Sequence, residues 1–186
     1  MTQQAFAVVD VETTHGDPMQ GHIIELAVIV HDGENEMEAW SSLVRPRTPL
    51  PGFIQRLTGI HERMLVGAPI FQEVARSLMQ LTHDRLMVAH NIRYDMTALE
   101  HEFARTGLVL ERNTLCTEKL CRQLVPNLTH YNLGSLCRYF GIPFQGHHRA
   151  LNDARAALDL FLRLRAEFGE DRLRNTAMGW PAERRA

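Results

Sequence analysis

Little in this chain of 186 residues marks it for a membrane or an oxidising compartment. No apolar stretch approaches the ~20 residues needed to cross a bilayer. Met1 to Gln4 carry no basic side chain, and the apolar run that follows is broken by Asp10. No secretory leader is therefore expected, and the expected location is the cytoplasm. Cysteine is scarce and odd in number. Cys116, Cys121 and Cys137 offer no paired spacing and no nearby histidine pair, which disfavours a disulfide framework or a zinc site and predicts reduced thiols. Lysine is nearly absent: of 20 basic residues only Lys119 is one. A net charge of −2 excludes strong, unspecific attraction of nucleic acid by the whole surface. There is no internal repeat and no low-complexity segment.

What is present suffices for one domain. Apolar residues make up 45% of the chain. Ala5 to Glu12 reads as a buried strand, Ile23 to Val30 as a second and Met37 to Val44 as a third, with Asp32-Gly33 as a hairpin signal. Short turns between them predict an antiparallel meander. Helical periodicity then takes over. Phe53 to Leu57 forms a short helical segment. Phe71, Val74, Ala75, Leu78 and Met79 share one helix face. Leu86 to Ala89 and Thr114 to Thr117 read as further strands, parallel to the first. Helices are predicted over Asp95 to Thr106, Thr117 to Leu124, Leu133 to Phe140 and Leu151 to Phe168, with Gly107, Gly141 and Gly169 as stops. The pattern predicts an α/β domain over 1–168, built on a mixed five-stranded sheet flanked by helices, and a polar, poorly ordered tail over 169–186.

Acidic residues fall where core residues would be expected. Asp10 and Glu12 stand two apart at the end of the first strand, so both leave the same face. Asp95 follows the strand ending at Ala89, where it could also serve as a helix N-cap. His148 and Asp153 are five apart, a spacing that brings them to one site only if His148 lies in a loop ahead of the helix. Carboxylates are costly to bury unless something positive meets them, and two divalent cations would do so. His90 and Asn91, at the end of the fourth strand, are expected to tie down a turn.

The segments VVDVETT, HNIRYD and HHRALNDA resemble the three exonuclease motifs of the DEDD superfamily, 3′–5′ exonucleases with an RNase H-like fold. RLTGIHERML and YNLGSLCRYFGIP extend the likeness over Phe6 to Phe168. His148, five residues before Asp153, is similar to the histidine (DEDDh) branch, which includes the epsilon proofreading subunit of bacterial DNA polymerase III, RNase T and oligoribonuclease. The inter-motif segments look most like the epsilon-type group. Arg149 stands where the other branch has its tyrosine. Two departures are visible: His15 replaces the glycine that often follows the double threonine, with Gly16 one later, and Tyr94 replaces a common phenylalanine, an expected packing change.

The resemblance implies a catalytic set of Asp10, Glu12, Asp95, His148 and Asp153. The four acids would hold two Mg²⁺ or Mn²⁺ ions, and His148 would be the general base, with His147 the next residue to test. Thr13, Thr14, His15, Thr58, Gly59 and Ile60 are candidates for gripping the terminal nucleotide. The implied substrate is a single-stranded DNA 3′ end, cleaved to nucleoside 5′-monophosphates in proofreading or repair. An RNA exonuclease is the alternative, and a non-catalytic nucleic-acid-binding module a more distant one. A polymerase or another replication or repair protein is the implied partner, and no membrane is.

Overall fold

The computed structural model describes residues 5–144, 146, 148–169, 172–173 and, for the backbone, 178–180. The first strand, β1 (Phe6–Thr13), is flanked on both sides, and its apolar residues point alternately into two cores. It pairs antiparallel with β2 (Ile23–His31), which is buried along its whole length. β2 pairs antiparallel with the mostly exposed edge strand β3 (Glu36–Leu43). This is the expected meander.

After β3 come α1 (Gly52–Thr58), the short α2 (Glu62–Leu65), which the sequence pattern did not single out, and α3 (Phe71–Leu81). The chain returns through β4 (Leu86–Ala89), parallel to β1, and α4 (Ile92–Thr106) to β5 (Arg112–Cys116), parallel to β4. α5 (Thr117–Leu124), α6 (Leu133–Phe140) and α7 (Ala150–Phe168) follow. The five strands expected from sequence are all present. A sixth, β6 (Met178–Trp180), pairs antiparallel with β5, giving the order β3-β2-β1-β4-β5-β6. These three residues belong to the polar segment after 168, and their pairing covers an edge of β5 that would otherwise present unpaired backbone groups. Much of the remaining tail lies outside the described residues.

Helices cover both faces. α3 and α4 pack on one, burying Ala7, Val9 and Val11 of β1 together with Leu78, Leu99 and Phe103. α5 to α7 pack on the other, where Phe6 and Val8 meet Leu136, Leu160 and Phe161. The face that carries Phe6 and Val8 continues through Asp10 and Glu12, because strand side chains alternate.

Two features of the sheet prepare a cleft. The ladder between β1 and β4 covers only Phe6 to Val8, whereas the ladder with β2 runs on to Thr13. The C-terminal half of β1 is thus open on its β4 side, since β4 is only four residues long and turns into α4. The β1–β2 register also shifts between Glu12 and Thr13, leaving Ile24 without a partner across the ladder. Such shifts re-aim side chains beside functional sites.

Buried free thiols fit the cysteine reading, with burial pushing Cys121 up to about 12 and Cys137 up to about 11. No helix among the described residues is long and apolar enough to cross a membrane. Leu99, fully buried between α4 and the sheet, should be a strong determinant of stability. Leu99→Ala is expected to cost about 2–5 kcal/mol in urea unfolding, against about 0.5 kcal/mol or less for Val66→Ala at an exposed position.

Candidate active site

Four elements meet at the open half of β1. Asp10 and Glu12 leave β1 on the α7 side, opposite Ala27 and Glu25 of β2. Asp95 arrives from the first turn of α4 and is only 3% exposed. It is not the N-cap. That position belongs to Asn91, in the left-handed region at φ 59°. The freed carboxylate reaches across the gap, and its Oδ1 accepts the Val11 backbone N–H at 3.2 Å. Val11 lies beyond the β4 ladder and would otherwise lack a partner on that side.

Asp153 lies in the first turn of α7, and His148 in the loop before it with φ at 62°, the arrangement their spacing demanded. The His148 backbone N–H donates to Asp153 Oδ2 at 3.0 Å. Ligating atoms of Glu12, His148 and Asp153 all lie within 4.8 Å of one another. Asp10 joins them electrostatically. Burial first, then the carboxylates of Asp95, Asp153, Glu12 and Glu25, raise it well above the usual carboxylate range. Glu12 is raised to about 8 by burial and then by Asp153, Glu25 and Asp95. Asp95 is raised to about 8, mainly by burial, although the hydrogen bond from Val11 opposes the shift. His147 lies outside the described residues.

Carboxylates that suppress one another's ionisation this strongly need a counter-charge. An all-oxygen donor set of this kind, with one imidazole at its edge, fits hard divalent cations. Mg²⁺ or Mn²⁺ could be held by Asp10, Glu12, Asp95 and Asp153.

A fifth acid escaped the sequence reading. Glu25 is buried directly across the ladder from Glu12. It accepts from Arg149 Nη2 at 2.8 Å, from Nε at 3.1 Å and from the Ala150 backbone N–H at 2.9 Å. This clasp ties the N-terminus of α7 to β2 and so fixes where His148 and Asp153 stand. An acid inside the apolar run IIELAVIV was the signal available, the same one that drew attention to Asp10.

The candidates for gripping a nucleotide divide by exposure. Thr13 and Thr14 are buried, and their hydroxyls turn inward. Thr13 Oγ1 donates to the His15 carbonyl at 2.6 Å. Thr14 Oγ1 accepts the His22 backbone N–H at 2.9 Å, and the Thr14 N–H donates to the His22 carbonyl. His15 itself is exposed. Thr58 and Ile60 are also buried, so of that group only Gly59 is exposed, with open space around its Cα. Tyr94 does more than pack. Its hydroxyl lies 2.5 Å from Thr13 Oγ1 and donates to the His15 carbonyl at 2.9 Å. The two departures from the family pattern, His15 and Tyr94, are thus in contact. His90 ties the turn as expected: Nε2 donates to the Tyr131 carbonyl and Nδ1 accepts from the Thr117 hydroxyl, each at 2.9 Å.

The exonuclease model of the RNase T family matches residues 7–161. The chain belongs to the exonuclease family. His148, five residues before Asp153, keeps the spacing expected of the histidine branch. Among curated relatives, the DNA polymerase III PolC-type protein of Caldanaerobacter subterraneus subsp. tengcongensis is 31% identical over 159 residues, 86% of this chain but 11% of that protein. The DNA polymerase III subunit epsilon of Aquifex aeolicus is 33% identical over 163 residues, 87% of this chain and 81% of that one. Among solved structures, exonuclease X in complex with 5′ overhanging duplex DNA is 26% identical with a TM-score of 0.75, covering 92% of this chain and 98% of that one. The exonuclease domain is thus a small part of some relatives and most of others.

The repelling acids make metal-free stability depend on pH. Unfolded carboxyls ionise near ~4, whereas folded Glu12 and Asp95 keep their protons up to about 8. Between these values the folded chain binds more protons than the unfolded one, so this contribution to stability falls as pH rises. His31 and His90, held below the usual imidazole range by burial, act in the opposite sense. Comparing wild type with Glu12→Gln cancels them. Without metal the variant should be the more stable protein, by a margin that grows from pH 5 to pH 8. Mn²⁺ should raise the melting temperature of wild type most at pH 8. A margin that shrinks with pH would contradict the arrangement. Tyr94→Phe, which removes only the hydroxyl, is expected to cost about 0.5–1.5 kcal/mol in urea unfolding; no cost would reduce Tyr94 to packing.

Proposed function

We propose that this protein is a metal-dependent 3′–5′ exonuclease. It hydrolyses the 3′-terminal phosphodiester of single-stranded DNA and releases nucleoside 5′-monophosphates, in proofreading or DNA repair. The observation that carries this reading is the meeting of Glu12, His148 and Asp153, within 4.8 Å, beside Asp10 and Asp95, whose carboxylates repel those of Glu12 and Asp153. Side chains from β1, α4 and the loop and first turn of α7 have no packing reason to converge in this way.

Asp10, Glu12, Asp95 and Asp153 would hold two Mg²⁺ or Mn²⁺ ions. Bound ions would polarise the phosphoryl oxygens and make the attacking water more acidic. The residues supply the remainder. His148 takes the proton of that water on a ring nitrogen, beside the Glu12 and Asp153 carboxylates. Its backbone N–H donates to Asp153, which fixes the main chain from which the ring projects. Asp95, bonded to Val11, keeps the two halves of the cleft in register. The exposed His15 and Gly59 are the parts of the nucleotide-gripping set able to meet a base or sugar, and unspecific stacking and phosphate contacts would favour a single strand.

Support for DNA as the substrate comes from the relatives. Two are DNA polymerase III proteins, and exonuclease X was solved with DNA. A polymerase or another replication or repair protein is the corresponding partner.

Digestion of labelled single-stranded DNA and RNA in parallel, with Mg²⁺ or Mn²⁺, tests the reading. Stepwise release of nucleoside 5′-monophosphates, faster from DNA, is expected. Asp10→Ala should abolish turnover. His148→Ala should lose about 10²–10⁴-fold in rate while still binding Mn²⁺. Full activity in the histidine variant would remove it as base, and absence of nucleotide release by wild type would remove the enzyme reading altogether.

A further inference from the structure

Arg149 combines anchoring and exposure in an unusual way for a residue beside buried acids. Its partner Glu25 has a side chain only 5% exposed, yet the Arg149 side chain is 42% exposed. One edge of the guanidinium, Nε and Nη2, is spent on Glu25. The other nitrogen, Nη1, meets no acceptor among the described residues. A planar fork fixed along one edge is pre-organised to donate from the rest, which suits a phosphate oxygen better than a flexible lysine would.

Its location matches that use. Glu25 lies one strand out from Glu12, about 4.8 Å in the hydrogen-bonding direction, with both side chains on the α7 face. Arg149 directly follows His148. Its positive charge reaches Glu12, where it is the one influence among the main causes that favours ionisation. The guanidinium therefore stands to one side of the carboxylate cluster. A scissile phosphate over the cluster would be served by cations. The neighbouring phosphate of the same strand, beyond their reach, would come to Arg149.

We infer that Arg149, held by Glu25, is a substrate-binding residue whose outward edge takes a non-bridging oxygen of the phosphodiester next to the scissile one. The inference rests on the exonuclease reading and adds a named contact to it. It also gives the Glu25 clasp a purpose beyond anchoring α7. The carboxylate fixes the guanidinium edge it holds, so that the arginine neither turns onto the catalytic acids nor drifts into solvent.

The test varies both sides of the contact. Wild type, Arg149→Lys and Arg149→Met are given single-stranded oligodeoxynucleotides with an ordinary phosphate, or a neutral methylphosphonate, at the linkage next to the scissile one. A third substrate carries the methylphosphonate at the scissile linkage. Wild type should lose about ten- to a hundredfold in kcat/KM on the neutral neighbouring linkage, chiefly through KM. Arg149→Met should show the same loss on the ordinary substrate and no further loss on the neutral one, with Arg149→Lys in between. The methylphosphonate at the scissile linkage should hurt all three proteins alike. A residue with only a structural role would lower the melting temperature and leave this pattern untouched. The inference is overturned if wild type accepts the neutral neighbouring linkage as well as the charged one, which needs no variant to fold. It is also overturned if the two losses multiply in Arg149→Met. Failure of the exonuclease reading is separate: wild type would then release no nucleotide from any of these substrates.

Discussion

Repulsion among carboxylates at the C-terminal half of β1 is the constraint around which this domain is arranged. Asp10, Glu12, Glu25, Asp95 and Asp153 are brought within mutual influence by the fold, and each raises the cost of ionising Asp10 or Glu12. No fold optimised for stability alone would gather them. Marginal stability means that a few kcal/mol of such repulsion must be offset by the cores on either side of the sheet. Those cores are extensive, and β1 and β2 run through the middle of both. The acids sit where the sheet stops being continuous, which confines the strain to one end.

The surroundings turn that strain into position. Two of the acids are steadied by backbone N–H groups. Asp95 accepts one backbone N–H from Val11, and Asp153 accepts one from His148. Glu25 differs, since Arg149 and Ala150 occupy it fully. This difference separates Asp95 and Asp153, two of the acids proposed to hold cations, from Glu25, which serves as scaffold. The same economy appears at the first loop. Thr14 bonds to His22, while Thr13 and Tyr94 both donate to the His15 carbonyl, so the segment after Glu12 is shaped by the protein before any ligand arrives.

Much of this was legible in the sequence, for physical reasons that differ by element. The meander of β1 to β3 follows from apolar runs and a turn signal, and the helix boundaries after α3 from glycines in the left-handed region at 107 and 141. The loop placement of His148 followed from helical geometry once it was taken to share a site with Asp153, because residues five apart on a helix do not face one point. Asp95 was ambiguous, since an aspartate at a helix start has two common uses; only Asn91 in the capping position resolves it. Glu25 was missed because a single acid in a strand has no local partner to announce it. Its partner is 124 residues away. β6 was missed for a similar reason: three residues carry no periodicity, and their pairing is decided by the edge of β5.

Tyr94 shows where a family pattern stops being informative. Read against the common phenylalanine, the extra hydroxyl is a small addition to a packed ring. Placed in three dimensions, it meets the carbonyl of His15, the other residue that departs from the pattern. A glycine at 15 would leave this loop freer, whereas a side chain there narrows the backbone's choices. The tyrosine hydroxyl then selects among them. Gly21, whose Cα packs against His15 and Thr13 with too little room for a side chain to fit easily, closes the loop from the other direction. The two substitutions therefore belong to one device. It stiffens the segment that adjoins Glu12, and through that segment it bears on the position of that carboxylate.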